Sequence, residues 1–178
     1  KKEVPRHLKR KPSKKPIVYE THDPGSPAGR MLEMIEKRLE CEKDNRCRTE
    51  SLERIREARD HLLPGLPKLL KGQPPQIVKE GLRLAGLLKV QVAVSAIGPL
   101  IVEGELDIRQ EAIWALGQIR DPGSVEFFDR AVMIGWSNKI AKQSCRALGQ
   151  IGVPAAIKSI WAFYQKGSKK IRVECTRA

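Results

Sequence analysis

The feature that most constrains the fold of this chain is a phrase that occurs twice, 32 residues apart. Residues 108–128 read IRQEAIWALGQIRDPGSVEFF, and residues 140–160 read IAKQSCRALGQIGVPAAIKSI. The two stretches share ALGQI and a proline three positions after it. Self-similarity at this period is typical of arrays in which each repeat packs on its neighbours. The sequence therefore predicts a repeat architecture.

Two further copies extend the array in both directions. A copy begins at Ile171 with IRVECTRA, and a more degenerate one begins at Ile77 with IVKEGLRLAGLLK. We number each repeat by offset from its first isoleucine, which is offset 0. Offsets 0, 4, 7, 8 and 11 are apolar or small in each copy that reaches them, which is one face of a 3.6-residue period. Each repeat is predicted to open with a helix that buries this face.

The second half of each repeat follows a turn. In RDPGS, Asp121 is a good helix cap and Pro122 suits a first helical turn, so a second helix is predicted through Val125 and Phe128. Position 153 is Val where the other copy has Asp121, so that turn should be held less firmly. Each repeat is thus predicted to be a pair of antiparallel helices.

These motifs resemble the bacterial HEAT-like repeats named after the phycobilisome lyases, whose consensus runs through ALG-x-IGDP. The resemblance is fairly specific over residues 108–178 and weaker over 77–107. It implies an all-α fold, a right-handed α-solenoid of helical hairpins. The repeats are predicted at 77–107, 108–139, 140–170 and, incomplete, 171–178. Because the last copy stops inside a helix, we expect the native protein to continue or another element to cover this end.

The residues before the repeats divide into two parts. Residues 1–27 carry five prolines and eight basic residues without apolar periodicity, which predicts a disordered or extended arm. Residues 28–76 are predicted to be divergent helices that cap the array. They include an amphipathic helix in AGRMLEMIEKRLECEKD and a second helical stretch that Pro64 divides.

The charge of the chain is concentrated at its two ends. The formal net charge is +13, and residues 130–178 carry ten Lys/Arg against one Asp/Glu. Such an excess favours an acidic partner, either a protein face or nucleic acid. The predicted partner-binding residues are Lys139, Lys142, Arg146, Lys158, Lys166, Lys169, Lys170 and Arg172. The nearby aromatic residues Trp161, Phe163 and Tyr164 have the spacing of core positions, which counts against stacking on bases.

Two polar columns run through the repeats. Offset 6 holds Arg83, Trp114, Arg146 and Arg177, a predicted row on the outer face. One interpretation makes this row a recognition stripe that includes Trp114, and the other makes it a solvated face whose tryptophan shields a seam between repeats. Offset 3 holds Glu80, Glu111, Gln143 and Glu174 and is predicted to be solvated.

No catalytic or metal-binding motif is found in the sequence. The three histidines, at positions 7, 22 and 61, have no metal-ligand spacing, so a HEAT-like iron hydroxylase is excluded. No G-x-S-x-G, P-loop or dinucleotide motif occurs, and the glycines of ALGQIG are explained by close helix packing. We predict no enzyme, no cofactor and no metal. No apolar run approaches the roughly 20 residues of a membrane-spanning helix.

The four cysteines form no zinc pattern. Cys41 and Cys47 flank a turn at Asp44 and either form a disulfide, if the compartment is oxidising, or remain free thiols. Cys145 and Cys175 fall in or beside the apolar stripe and are predicted to serve packing. A mature bacterial envelope protein is slightly favoured over a cytoplasmic one.

The resemblance implies a non-enzymatic protein-protein interaction scaffold, and the basic C-terminal patch predicts an acidic protein partner. The alternative is a nucleic-acid-binding module similar to the HEAT-like alkylpurine DNA glycosylases. A third alternative, a bilin lyase or its chaperone subunit, is suggested by the family name alone. The sequence leaves the oligomeric state open.

Overall fold

The computed structural model describes residues 22–41, 44–134 and 137–178. The predicted basic arm, residues 1–27, lies outside these ranges except for its last six residues. Within them, the chain consists of α-helices and short 3-10 turns, with no strand. The helices are α1 (Pro27–Glu40), α2 (Asn45–Glu57), α3 (Arg59–Leu62), α4 (Leu66–Leu69), α5 (Pro75–Leu87), α6 (Val94–Ile97), α7 (Leu100–Glu103), α8 (Leu106–Ile119), α9 (Val125–Ile134), α10 (Asn138–Ile151), α11 (Ala156–Lys166) and α12 (Lys169–Cys175).

The helices form two layers. The first helices of the repeats, α5, α8, α10 and α12, pack side by side in chain order. The second helices, α7, α9 and α11, pack in a parallel row behind them. This arrangement of stacked helix pairs is an α-solenoid and confirms the predicted all-α fold class.

The apolar stripe predicted from the repeats is the core of the array. Offsets 4, 7 and 8 are buried in α5, α8 and α10, as Leu84, Leu116 and Leu148 at or beside offset 8 illustrate. One cluster of buried side chains runs from Ala28 to Cys175, and Phe128 and Phe163 are its fully buried aromatic members. The N-terminal helices therefore extend the core of the repeats.

Glycines at offset 9 let neighbouring first-layer helices approach closely. A Cβ on Gly117 would lie 3.0 Å from the Cα of Ala147 in the next helix. A Cβ on Gly86 would lie 2.7 Å from the ring of Trp114. Both contacts would force the neighbouring helix or ring to shift, so glycine fits these positions without strain. The interpretation of the ALGQIG glycines as packing residues is confirmed for Gly149, where a Cβ would lie 2.7 Å from the backbone oxygen of Ala178, and is wrong for Gly152, which has a positive φ and no neighbour closer than 3.6 Å.

The turns between paired helices follow their local sequence. Asp121 accepts a hydrogen bond from the backbone N–H of Gly123 at 2.8 Å, as expected for the capping residue of the second helix. Around Val153 no side chain caps α11, which begins after Ala155. The residue that ends each first helix, at offset 12, is left-handed in three repeats: Lys89 has φ 52°, Arg120 has φ 60° and Gly152 has φ 69°.

The second half of the first repeat departs from the predicted single helix. It is split into α6 and α7, four residues each, on either side of Gly98 and Pro99. Proline cannot donate the backbone hydrogen bond that a continuous helix would need at that point. Residues 58–69 are divided in the same way, since a 3-10 turn at Leu63–Gly65 contains Pro64.

The N-terminal cap begins with a well-defined helix start. The Ser26 hydroxyl accepts a hydrogen bond from the backbone N–H of Gly29 at 3.0 Å, and Pro27 occupies the first helical position. Helix α1 buries Met31 and Ile35 and packs on α4 and α5. The domain boundaries at residues 28 and 77 remain predictions.

Candidate functional site

The basic residues of the last two repeats gather where first-layer helices begin. Lys139 lies in the first turn of α10, and Lys169 and Lys170 open α12, which packs against α10. Lys139 and Lys170 occupy the same repeat position, one before offset 0. Lys166, at the end of α11, is separated from α12 by two residues. All four side chains are exposed.

Helix α11 presents an aromatic pair beside these lysines. Trp161 stacks on Tyr164, with ring centroids 5.2 Å apart and an angle of 6° between the planes. The guanidinium carbon of Arg172 lies 5.7 Å from the Tyr164 ring centre, and its Nε donates to the backbone oxygen of Gly167 at 3.2 Å. Trp161 is 56% exposed, so its assignment to the core was wrong; Phe163 alone of the three aromatic residues is fully buried.

One predicted site residue, Lys158, stands apart from this group. Lys158 lies in the first turn of α11 and Lys166 lies at its end, so eight residues of helix separate the two. Eight residues of α-helix span about 12 Å. Lys142 is half-buried in the body of α10. We define the basic cluster as Lys139, Lys142, Lys166, Lys169, Lys170 and Arg172.

Arg146 is already engaged by a carboxylate. Its Nε and Nη2 donate to Oε1 and Oε2 of Glu174 at 2.5 and 2.9 Å. The hydrogen bond from Arg146 lowers the pKa of Glu174 below its ordinary value, and the charges of Arg177 and Lys142 add to this effect. A paired guanidinium has less capacity for an acidic partner than the free lysines around it.

The two polar columns turn out to face each other across repeats. The residue at offset 6 of one helix reaches offset 3 of the next: Arg146 contacts Glu174, and Arg83 Nη2 donates to Glu111 Oε1 at 2.8 Å. The hydrogen bond that Arg83 donates to Glu111 raises the pKa of the Arg83 guanidinium above its ordinary value. Offset 3 was predicted to be solvated, and this was wrong for Glu80, which is 2% exposed.

The N-terminal cap supplies Glu80 with the arginine that Glu111 and Glu174 receive from the preceding repeat. Arg38 of α1 is 6% exposed and donates through Nε to Glu80 Oε1 at 2.6 Å. Its Nη1 bonds the backbone oxygen of Arg48 and, at 3.0 Å, the Ser51 hydroxyl. Arg48 Nη2 and Arg83 Nη1 lie 3.4 and 3.5 Å from the Glu80 carboxylate. The repeat pattern does not predict this cluster, because Arg38 lies outside the repeat.

One position in the row of ion pairs is different. Between the Arg83–Glu111 and Arg146–Glu174 pairs, the corresponding residues are Trp114 and Gln143. Trp114 is half-buried and packs over Gly86, as the seam-shielding interpretation predicts, yet it also lines a cavity of about 380 Å³. The lining residues are Arg38, Arg48, Arg83, Leu87, Gln110, Glu111, Trp114 and Gln143.

The structure pairs all four cysteines. Cys41 is bonded to Cys47 across the turn between α1 and α2, with Cα atoms 5.6 Å apart. Asp44 caps α2 within this loop by accepting from the N–H of Arg46 and of Cys47. Cys145 and Cys175 are buried, as expected for packing residues, but they are bonded to each other and join α10 to α12. Their assignment as unpaired packing residues was therefore incomplete.

The described part of the chain holds neither a metal-binding cluster nor a membrane-spanning helix. Residues 22–41, 44–134 and 137–178 contain no group of three or more His, Cys, Asp or Glu side chains arranged to hold a metal ion. In the same ranges, no helix has both the length and the apolar character needed to cross a bilayer.

The stacked helix pairs, with glycines at a fixed offset where the first-layer helices meet, form an α-helical repeat array. The comparison with family models agrees, since residues 108–132 match the PBS lyase HEAT-like repeat. Among solved structures, the chain is similar to the crystal structure of an engineered protein from a structural genomics consortium. The TM-score is 0.56 and the identity 18%, over 84% of this chain and 77% of the other. That likeness concerns the fold alone. No curated protein matched the sequence.

Proposed function

We propose that this chain is a non-enzymatic interaction scaffold that binds an acidic face of a partner protein through the basic cluster. The observation that supports the proposal is the position of Lys139 in the first turn of α10. Cations are favourable at the C-terminal end of a helix and unfavourable at its N-terminal end, where the helix dipole is positive. Lys139 therefore adds to the positive potential at the start of α10 and does not stabilise that helix.

The charges around the cluster support the same proposal. Glu174 is the one acidic residue after position 129, and its carboxylate is held by Arg146. Unopposed surface charges attract an acidic surface over about one Debye length, roughly 8 Å at physiological salt. An acidic protein face would therefore be drawn to this end of the array, and the attraction would weaken as salt is raised.

The test is charge reversal with a matched control. Lys139, Lys142, Lys169 and Lys170 are changed together to Glu, and the variant is used to capture proteins from a native lysate treated with nuclease. The control changes Arg54, Lys68, Lys71 and Lys158 to Glu, which alters the net charge equally but spares the cluster. We expect a stoichiometric acidic partner with the wild type and the control and none with the cluster variant. Equal capture by the two variants would contradict the site.

Nucleic-acid binding is a second candidate, supported by the exposed Trp161 stacked on Tyr164 beside Arg172. Aromatic side chains next to basic residues are a common platform for bases of single strands. The test is titration with a twelve-residue oligothymidylate at several salt concentrations. Phosphate contacts predict an affinity that falls steeply with salt, and Trp161→Ala should weaken binding by about tenfold or more. An affinity unaffected by salt and by this substitution would reject the candidate.

A further inference from the structure

The interrupted row of ion pairs creates a cavity with an unusual set of groups. At the position where the neighbouring repeats have Arg–Glu pairs, Trp114 and Gln143 leave an opening of about 380 Å³ between α1, α2, α5, α8 and α10. This opening has no part in the functions that the sequence predicts. Its walls carry three arginines from the cap and the first repeat, an exposed Leu87 and the Trp114 ring.

The charged groups around the cavity have a net charge of one positive unit, which favours a ligand with a single negative charge. Arg38, Arg48 and Arg83 contribute three positive charges, and Glu80 and Glu111 contribute two negative ones. A monoanion neutralises the remaining charge. A phosphate dianion would leave an excess negative charge close to two buried or half-buried carboxylates, which is unfavourable where water screens little.

Arg48 has donors to offer a ligand. In the described part of the chain, its side chain contacts Glu80 through Nη2, at 3.4 Å, and it is 32% exposed. Its Nε and Nη1 groups are therefore open to an acceptor. Guanidinium groups bind carboxylates through two parallel hydrogen bonds, which makes them more specific for this group than lysine is. Arg83, with 42% of its side chain exposed, lies on the same wall.

Gln143 favours a ligand that donates a hydrogen bond, whereas the arginines favour one that accepts. Its Oε1 atom is shielded from solvent and has no hydrogen-bond partner among the described residues. A buried acceptor without a donor costs roughly 1–3 kcal/mol, so a ligand that brings an N–H group to it is favoured. Trp114 and Leu87 offer an apolar surface between this atom and the arginines.

We propose that this cavity binds a carboxylate carried on a peptide, with the C-terminal carboxylate preferred. The carboxylate accepts hydrogen bonds from Arg48 and Arg83, the last side chain packs on Trp114 and Leu87, and the last backbone N–H donates to Gln143 Oε1. A C-terminal residue carries its carboxylate and its N–H on one carbon, which suits a cavity of this size. The site is separate from the basic cluster, so either proposal can fail without the other.

The experiment is a titration of the full chain, followed through the indole N–H of Trp114 in a proton–nitrogen correlation spectrum and assigned with Trp114→Phe. The first probes are N-acetylphenylalanine, its C-terminal amide and phenyl phosphate. We expect a saturating shift with the acid and at least about tenfold weaker binding of the amide, which loses the charge-assisted hydrogen bonds. Equal binding of acid and amide, or tighter binding of phenyl phosphate, would overturn the proposal.

Two peptides separate the sources of the carboxylate. Acetyl-Ala-Ala-Phe ends in a free carboxylate, and acetyl-Ala-Glu-Phe-amide carries its carboxylate on a side chain. Tighter binding of the first supports the C-terminal assignment and the contact to Gln143. Tighter binding of the second would overturn that preference.

Substitutions locate the binding in the cavity. Arg48→Gln should weaken N-acetylphenylalanine by about tenfold, and Arg48→Lys by less, because a charge remains but the paired donors are lost. Arg46→Gln is the matched control, since Arg46 lies on the same helix with 89% of its side chain exposed and pairs with Glu50. Circular dichroism verifies that each variant is folded. Unchanged affinity in folded Arg48→Gln would contradict the proposal.

Discussion

Arg38 and Glu80 form a buried ion pair that joins the N-terminal cap to the first repeat. The Nε–Oε1 distance is 2.6 Å, and the two side chains are 6% and 3% exposed. Glu80 stands at offset 3, where Glu111 and Glu174 receive an arginine from the preceding repeat, and the cap provides Arg38 in its place. The row of inter-repeat contacts thus begins outside the repeats themselves.

Removing one partner of this pair should be costly. Glu80→Gln leaves the buried guanidinium of Arg38 without its counter-charge, and breaking buried pairs in this way typically costs about 3–5 kcal/mol. We expect a loss of that size in the free energy of unfolding, measured by urea denaturation. The double variant Arg38→Met/Glu80→Leu, which removes both charges, should recover most of it. A loss in Glu80→Gln below about 1 kcal/mol would show that the pair is not buried as described.

The Arg146–Glu174 pair predicts a pH-dependent contribution to stability. Because Arg146 lowers the pKa of Glu174 from 4.5 in the folded chain, the pair stabilises the fold above that value, and the contribution disappears as the pH falls through the lowered pKa. Arg146 is 62% exposed, so the contribution at pH 7 should be about 1 kcal/mol or less.

The measurement is thermal unfolding of the wild type and Arg146→Met between pH 2 and 7. We expect the variant to be less stable at pH 7 and the difference to close in acid. Arg130→Met, at another exposed arginine, serves as the control and should show no such closure. A difference that is independent of pH would contradict the role of Glu174.

The pairing of the cysteines predicts the number of free thiols. In protein made in an oxidising compartment and denatured without reductant, alkylation should label none of the four cysteines, as mass spectrometry can show. Replacing Cys145 and Cys175 with Ala should cost about 3 kcal/mol and replacing Cys41 and Cys47 about 2 kcal/mol, since the first pair closes a longer loop. Four labelled cysteines would contradict both pairings.

The residue that ends the first helix has a left-handed backbone in three repeats, which predicts a stabilising substitution to glycine. Glycine adopts positive φ without the clash that a Cβ causes, and Gly152 occupies offset 12 where Lys89 and Arg120 stand in other repeats. Arg120→Gly should raise the free energy of unfolding by about 0.5–1 kcal/mol, and Gly152→Ala should lower it by a similar amount. Denaturant unfolding of the two variants measures both effects. A loss of stability in Arg120→Gly would indicate that its side chain makes a compensating contact.

Much of the repeat architecture could be predicted because it depends on local periodicity. The apolar offsets, the packing role of Gly117 and the cap at Asp121 each follow from residues within one repeat, and the structure confirms them. The predicted second helix of the first repeat is continuous, although the sequence contains the proline, Pro99, that breaks it. The break follows from the same local rule, since a proline in the interior of a helix kinks or breaks it.

The candidate sites depend on contacts that no single repeat contains. The sequence placed Trp161 in the core because its spacing is helical, but only the packing of α11 against its neighbours decides which side of that helix is covered. The bond between Cys145 and Cys175 likewise requires the stacking of α10 on α12 to bring two residues 30 positions apart together.

By itself, then, the sequence determined the helical repeat, its register and its excess of positive charge, because these are properties of short-range spacing and composition. Only the tertiary structure decided which charges are satisfied and which remain free. Arg38 has no repeat counterpart, yet it neutralises Glu80, while Trp114 and Gln143 leave a cavity where an ion pair could have formed. The reason is physical: burial and pairing are set by which helices stack, and stacking brings together side chains far apart along the chain.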